Sequence, residues 1–148
     1  LLFSFICLNS YFNNFYIKEE FLFVIILVII FDIASYIFGT KYGRLKILPT
    51  ISPNKTYFGL ISGFIFTYIV GLISNYYYEF FRINLIFYFI FIILISAFIG
   101  DIIESFFKRK FSLKNSSNLL PGHGGFFDRF DGIIMVFISL FFFNLIIL

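Results

Sequence analysis

Four apolar stretches, each long enough to cross a lipid bilayer as a helix, set what this chain can fold into. They cover about residues 21–39, 57–75, 83–107 and 132–148, and a helix needs about 20 mostly apolar residues to span the hydrocarbon core. A weaker run at 1–17 is interrupted by Asn9, Asn13 and Asn14. The stretches are too long and continuous for the alternating strands of a membrane barrel, and a spanning segment must satisfy its own backbone hydrogen bonds. The expected class is all-α: one polytopic transmembrane helix bundle, a single membrane domain over 1–148, with two polar loops. Composition agrees. Apolar residues make up 61% of the chain and charged residues 13%, whereas a soluble domain is about half apolar and about a quarter charged. The opening Leu1-Leu2-Phe3 has no basic region ahead of its apolar run, so it does not resemble a signal peptide and reads as the cut end of something longer. The single Cys7 gives neither an internal disulfide nor a metal-binding spacing.

The polar loops, 40–56 and 108–131, carry nine of the eleven basic residues. Lys41, Arg44, Lys46 and Lys55 sit in the first, Lys108, Arg109, Lys110, Lys114 and Arg129 in the second. Two spans separate the loops, so both emerge on one face, which the positive-inside bias makes cytoplasmic. Short connectors at about 18–20 and 76–82, with the C-terminus, then lie on the other side. Such lysines need no further role than topology and attraction to anionic headgroups. The accompanying carboxylates need a stronger reason, because a charge at mid-bilayer costs roughly 2.5–3.5 kcal/mol even on the lenient insertion scale.

Asp32 lies in the second half of the 21–39 span and Asp101 near the end of the 83–107 span. On a continuous helix Asp101, Glu104, Ser105 and Lys108 share one face. Snorkelling or a lysine partner is the bland alternative, more readily for Asp32 than for Asp101. In the second loop, Gly122, Gly124 and Gly125 surround His123, and missing β-carbons let backbone amides approach an anion. Asp128 and Asp131, three apart at the start of the last span, can hold a hard cation through oxygen. Acid, base and glycine together point to metal-bridged polyphosphate. His123 is the chain's only histidine, so zinc is unsupported; it reads as a phosphate contact or a loop-shaping hydrogen bond. In the first loop, Ser52 and Pro53 favour a turn leading into a helix whose start could present free amides to an anion, with Lys55 beside it. A capped helix start next to a topological lysine is the plainer reading.

Together these residues resemble the phosphatidate cytidylyltransferase family, the CDP-diacylglycerol synthases. The resemblance rests on Ser105, Phe107-Lys108-Arg109, Lys114, Pro121, His123-Gly124-Gly125-Phe126 and Asp128-Arg129-Phe130-Asp131 at the family's spacing. Upstream, Asp32, Tyr36 and Gly39, then Ser52-Pro53, Lys55-Thr56 and Gly59, are similar to its first cytoplasmic motif. Asn115 departs, standing where the family has Asp, and the likeness covers roughly 21–148 without the further N-terminal spans of family members. The resemblance implies transfer of CMP from CTP to phosphatidate, giving CDP-diacylglycerol and pyrophosphate, with both loops as cytoplasmic catalytic loops in a bacterial inner membrane. Its implied catalytic set is Asp101, Asp128, Asp131, Lys108 and Ser105, with Mg²⁺ on Asp101, Asp128, Asp131 and Ser105 and room for a second cation such as K⁺. Its implied substrate contacts are Asp32, Ser52, Lys55, Thr56, Arg109, Lys114, His123, Gly124, Gly125 and Arg129. It implies membrane lipid as a partner, no nucleic acid, and a homodimer. Two rivals remain at this level: an inactive relative that binds nucleotide or lipid without turnover, and an ion-coupled transporter.

Overall fold

The structure is a computed structural model that describes residues 2–14, 17–111 and 131–147. Five helices and one hairpin follow in chain order: α1 (Leu2–Asn14), α2 (Lys18–Tyr42), β1 (Lys46–Leu48), β2 (Ser52–Thr56), α3 (Tyr57–Tyr78), α4 (Ile83–Lys110) and α5 (Asp131–Ile147). Lys18–Tyr42, Tyr57–Tyr78 and Leu85–Lys110 are long and apolar enough to cross a membrane. The 17 residues of α5 come to about 26 Å of helix at 1.5 Å per residue. Among the described residues the helix bundle is therefore present, with three of the four expected runs forming helices of spanning length, α5 a shorter apolar helix, and α1 formed by the weaker run.

Two local expectations fail for physical reasons. Residues 18–20 form the first turn of α2, not a connector. Glu19 and Glu20 there suit the positive end of the helix dipole, and Glu20 is buried, accepting a hydrogen bond from Asn144 Nδ2 of α5 at 3.3 Å. Nor do Ser52 and Pro53 turn into a helix. The turn comes earlier, where Ile51 N–H donates to Leu48 C=O across Pro49 and Thr50. Pro49 holds the φ that such a turn wants. Residues 52–56 then pair antiparallel with β1, Leu48 opposite Ser52 and Lys46 opposite Thr56. A two-stranded ribbon has only edges, so Pro53 costs it no necessary donor.

Helix α3 starts only after this ribbon. Thr56 stays extended, and its hydroxyl accepts from Gly59 N–H at 3.1 Å, the usual N-cap bond. Thr56→Val removes that acceptor at nearly constant shape. The loss should be about 1 kcal/mol, read as a fall of about 3 °C in the detergent-solubilised melting temperature.

The packing rests on two kinds of helix face. Along α3 the buried positions are Gly59, Gly63, Thr67, Gly71 and Asn75, one per turn and all small or polar. They let α3 press against α2 at backbone distance, as small residues do between membrane helices. The main apolar core lies elsewhere: α4 turns Phe89, Ile90, Ile93 and Leu94 toward Leu27 and Val28 of α2 and Val136 and Leu140 of α5. Asn75 closes the far end. Its amide accepts from Phe81 N–H at 2.9 Å and donates to Phe81 C=O at 3.0 Å, holding the α3–α4 connector after Glu79 ends the helix with φ 51°. Tyr76, Tyr77 and Tyr78, all exposed, give this end the aromatic rim typical of a membrane boundary.

Candidate functional site

At the opposite end, α2, the hairpin, α3 and α4 enclose a cavity of about 250 Å³. Its polar wall combines Asp32, Ser35 and Tyr36 of α2, Ser52, Asn54, Lys55 and Thr56 of β2, and Asp101 of α4. Phe31, Leu60 and Phe98 form the apolar side. Helical spacing explains the α2 contribution, since positions 32, 35 and 36 lie on one face. Strand alternation explains Ser52, Asn54 and Thr56. Lys55 is 46 residues from Asp101 in sequence, yet its Nζ donates to Asp101 Oδ2 at 2.6 Å. The same ammonium lies 5.2 Å from the centre of the Phe98 ring, within cation–π range. Both side chains are only partly exposed, 26% and 21%, so water screens this charge pair less than one on an open surface.

The other oxygen of Asp101 faces α5. A β-carbon placed on Gly132 would lie 3.0 Å from Asp101 Oδ1 and 3.3 Å from Ala97 C=O, so glycine at this place is what lets the start of α5 come up against the carboxylate. The cavity thus brings together an ammonium, the Asp101 carboxylate at the head of α5 and the Asp32 carboxylate. Chemically it offers charge neutralisation and positioning rather than a nucleophile.

A cytidylyltransferase family model matches residues 2–147, nearly the whole chain. The chain belongs to the cytidylyltransferase family. Proteins named phosphatidate cytidylyltransferase from Staphylococcus saprophyticus and Staphylococcus haemolyticus are 44% and 41% identical to it over 117 residues, 78% of this chain and 45% of each relative. That of Staphylococcus aureus is 40% identical over the same share. The chain thus spans about half the length of these relatives.

Asp32, Ser52, Lys55, Thr56 and Asp101, all expected at the site, come together in one cavity. Tyr36, which carries part of the resemblance to the first cytoplasmic motif, lies with them, and Ser35 and Asn54 join without having been expected, their spacing from Asp32 and Ser52 being the available signal. Ser35 Oγ is buried and finds no hydrogen-bond partner among the described residues. Ser105 and Lys108 lie further along α4, outside the cavity wall, and Lys108 forms an ion pair with Glu104 one turn back. Arg109 Nε donates to Ile51 C=O at 3.1 Å, so part of this guanidinium fixes the hairpin tip to the end of α4. Lys114, His123, Gly124, Gly125, Asp128 and Arg129 lie outside the described residues, and Asp131 enters only as the first residue of α5. Among the described residues no three of His, Cys, Asp and Glu gather as a metal cluster.

Proposed function

We propose that this cytidylyltransferase is the catalytic part of a phosphatidate cytidylyltransferase, transferring CMP from CTP to phosphatidate and releasing pyrophosphate in phospholipid biosynthesis. The observation that carries the reading is the meeting of Lys55 and Asp101 in a cavity at the basic-loop end of apolar helices. Names of the relatives support the same substrates. The phosphate oxygen of phosphatidate is anionic at neutral pH and needs no strong base. It attacks the α-phosphorus of CTP, the new P–O bond forms, and the bond to the β-phosphate oxygen breaks, its electrons leaving with pyrophosphate. Catalysis of this kind is positioning and charge neutralisation. Lys55 would hold a phosphate within the cavity, with Lys108, Arg109 and Arg129 as further cations and Ser52, Thr56, Lys114, His123, Gly124 and Gly125 as neighbouring contacts.

Mg²⁺ would be held by Asp101 at the head of α5 together with Asp128, Asp131 and Ser105, all of them hard oxygen donors. When bound, Mg²⁺ would offset the charge of the nucleotide phosphates, with K⁺ as a candidate second cation. The basic loops argue for a site facing the cytoplasm of a bacterial inner membrane, and a homodimer is the proposed assembly. The transporter reading is not favoured, since Asp32 and Asp101 share one cavity with Lys55 and the hairpin of the first basic loop.

The test is the purified full chain in detergent with radiolabelled CTP, phosphatidate and Mg²⁺. Lipid-linked CMP should appear and should vanish with EDTA, returning when Mg²⁺ is restored in excess. Nucleotide that binds without ever reaching lipid would overturn the reading in favour of an inactive relative.

A further inference from the structure

The hairpin that carries Lys55 is weak by itself. Its strands have three and five residues, and the register slips between Lys46 and Leu48. A lone two-stranded ribbon of that size is marginal in water. Its base is secured where Tyr57 N–H donates to Leu45 C=O at 3.0 Å, beside the Thr56 cap of α3. Its outer half is tied to α4 by two side chains. Lys55 Nζ reaches Asp101 Oδ2 at 2.6 Å, and Arg109 Nε donates to Ile51 C=O at 3.1 Å. The two contacts run in opposite chain directions, so β2 lies antiparallel to the last turns of α4. They also match in length. From Ile51 to Lys55 an extended strand covers about 13 Å at 3.3 Å per residue, and from Asp101 to Arg109 a helix covers about 12 Å at 1.5 Å per residue.

We infer that Arg109 is a positioning residue for CMP transfer: by holding the hairpin tip at Ile51, it keeps β2 in register along α4, so that Lys55 stands at Asp101 in the cavity. The inference rests on the CMP-transfer reading and adds to it a residue that acts through another. The working part is the Nε–H donor, apart from the guanidinium charge. Without that donor the tip is left to a short, slipped ladder and to the turn bond from Ile51 N–H to Leu48 C=O. A strand that shifts carries Lys55 away from Asp101, and misplacing a positioning group by about 1 Å is enough to slow a reaction of this kind. Glutamine separates donor from charge. Its amide nitrogen is as many bonds from Cα as arginine Nε, so it can still donate to Ile51 C=O, yet it is neutral. Methionine has a side chain of the same length and no N–H.

The test compares the native chain with Arg109→Gln and Arg109→Met, each as the full chain in detergent with radiolabelled CTP, phosphatidate and Mg²⁺. Arg109→Met should cut kcat about fivefold, the worth of one hydrogen bond. Arg109→Gln should recover to about half the native rate. In a Lys55→Met background the same Arg109→Met change should cost under about twofold, because its effect is routed through Lys55. Hydrogen exchange of the 48–56 backbone reads the tether without turnover: it should quicken in Arg109→Met and stay close to native in Arg109→Gln. Equal losses in the two variants would make the charge the working part and Arg109 a direct phosphate contact, which overturns the inference. An undiminished loss in the Lys55→Met background would overturn it too, as would an Arg109→Met variant that keeps the native rate. Quickened exchange in Arg109→Met, with no CMP transfer from any form including the native chain, would keep the tether and refute the enzymatic reading instead.

Discussion

Asp101→Asn is expected to leave the protein folded and to slow CMP transfer by roughly 10²–10³-fold, the usual loss when a charged group that stabilises the reacting phosphates is removed. Asn keeps the shape and one carbonyl oxygen, so the approach of Gly132 to the side chain survives. What goes is the charge that holds Lys55 Nζ at 2.6 Å and that a divalent ion at the head of α5 would need. The fold should tolerate the change, because the pair is partly exposed and such pairs contribute little net stability. Initial rates with radiolabelled CTP, beside the melting temperature of the same preparation, check both halves. A variant that keeps more than a tenth of the rate would remove Asp101 from the chemistry. One that fails to fold would assign the carboxylate to structure instead.

The helices were legible because length and hydropathy suffice to mark them, but their inner and outer faces were not. On α4, Phe89, Ile90 and Ile93 are buried, while Phe87, Tyr88 and Phe91 of the same helix are exposed. Lipid accepts the same residue types as a protein core, so no apolar stripe separates them. Helix α3 is the exception, since its small residues at every fourth place from Gly59 to Asn75 do mark a face. The hairpin escaped notice because its strands are short and Pro49 and Pro53 read as breaks in structure. At the site, Asp32 and Asp101 stood out as acids inside apolar runs, and Lys55 through its place beside Pro53. That Lys55 would meet Asp101 across 46 residues could not be read from either segment alone, since it depends on how the hairpin folds back onto α4. The main-chain bond of Arg109 likewise depends on the hairpin tip, a segment that reads in sequence as plain loop.

Two glycine substitutions on one helix should give results of opposite sign. Gly59→Ala is expected to destabilise the protein by about 3 kcal/mol or more, a drop of about 10 °C in melting temperature. The added methyl would lie 2.5 Å from Ser35 C=O and 2.8 Å from Gly39 Cα, both backbone atoms of α2 that can move only if the whole helix moves. Gly71→Ala meets different neighbours, Ile90 Cδ1 at 2.7 Å and Leu27 Cδ2 at 3.2 Å, the ends of flexible side chains. There a small rotamer change suffices, and the helix gains up to about 1 kcal/mol in propensity when Gly becomes Ala. Gly71→Ala should therefore be neutral or slightly stabilising. Propensity is equal at the two sites, so the difference between their melting temperatures measures the backbone contact of α2 with α3. That contact also sets the cavity, whose walls include Ser35 on one helix and Thr56 at the start of the other. CMP transfer should accordingly fall in Gly59→Ala and persist in Gly71→Ala. Equal shifts in the two melting curves would show that α2 and α3 are not in the close contact on which the cavity depends.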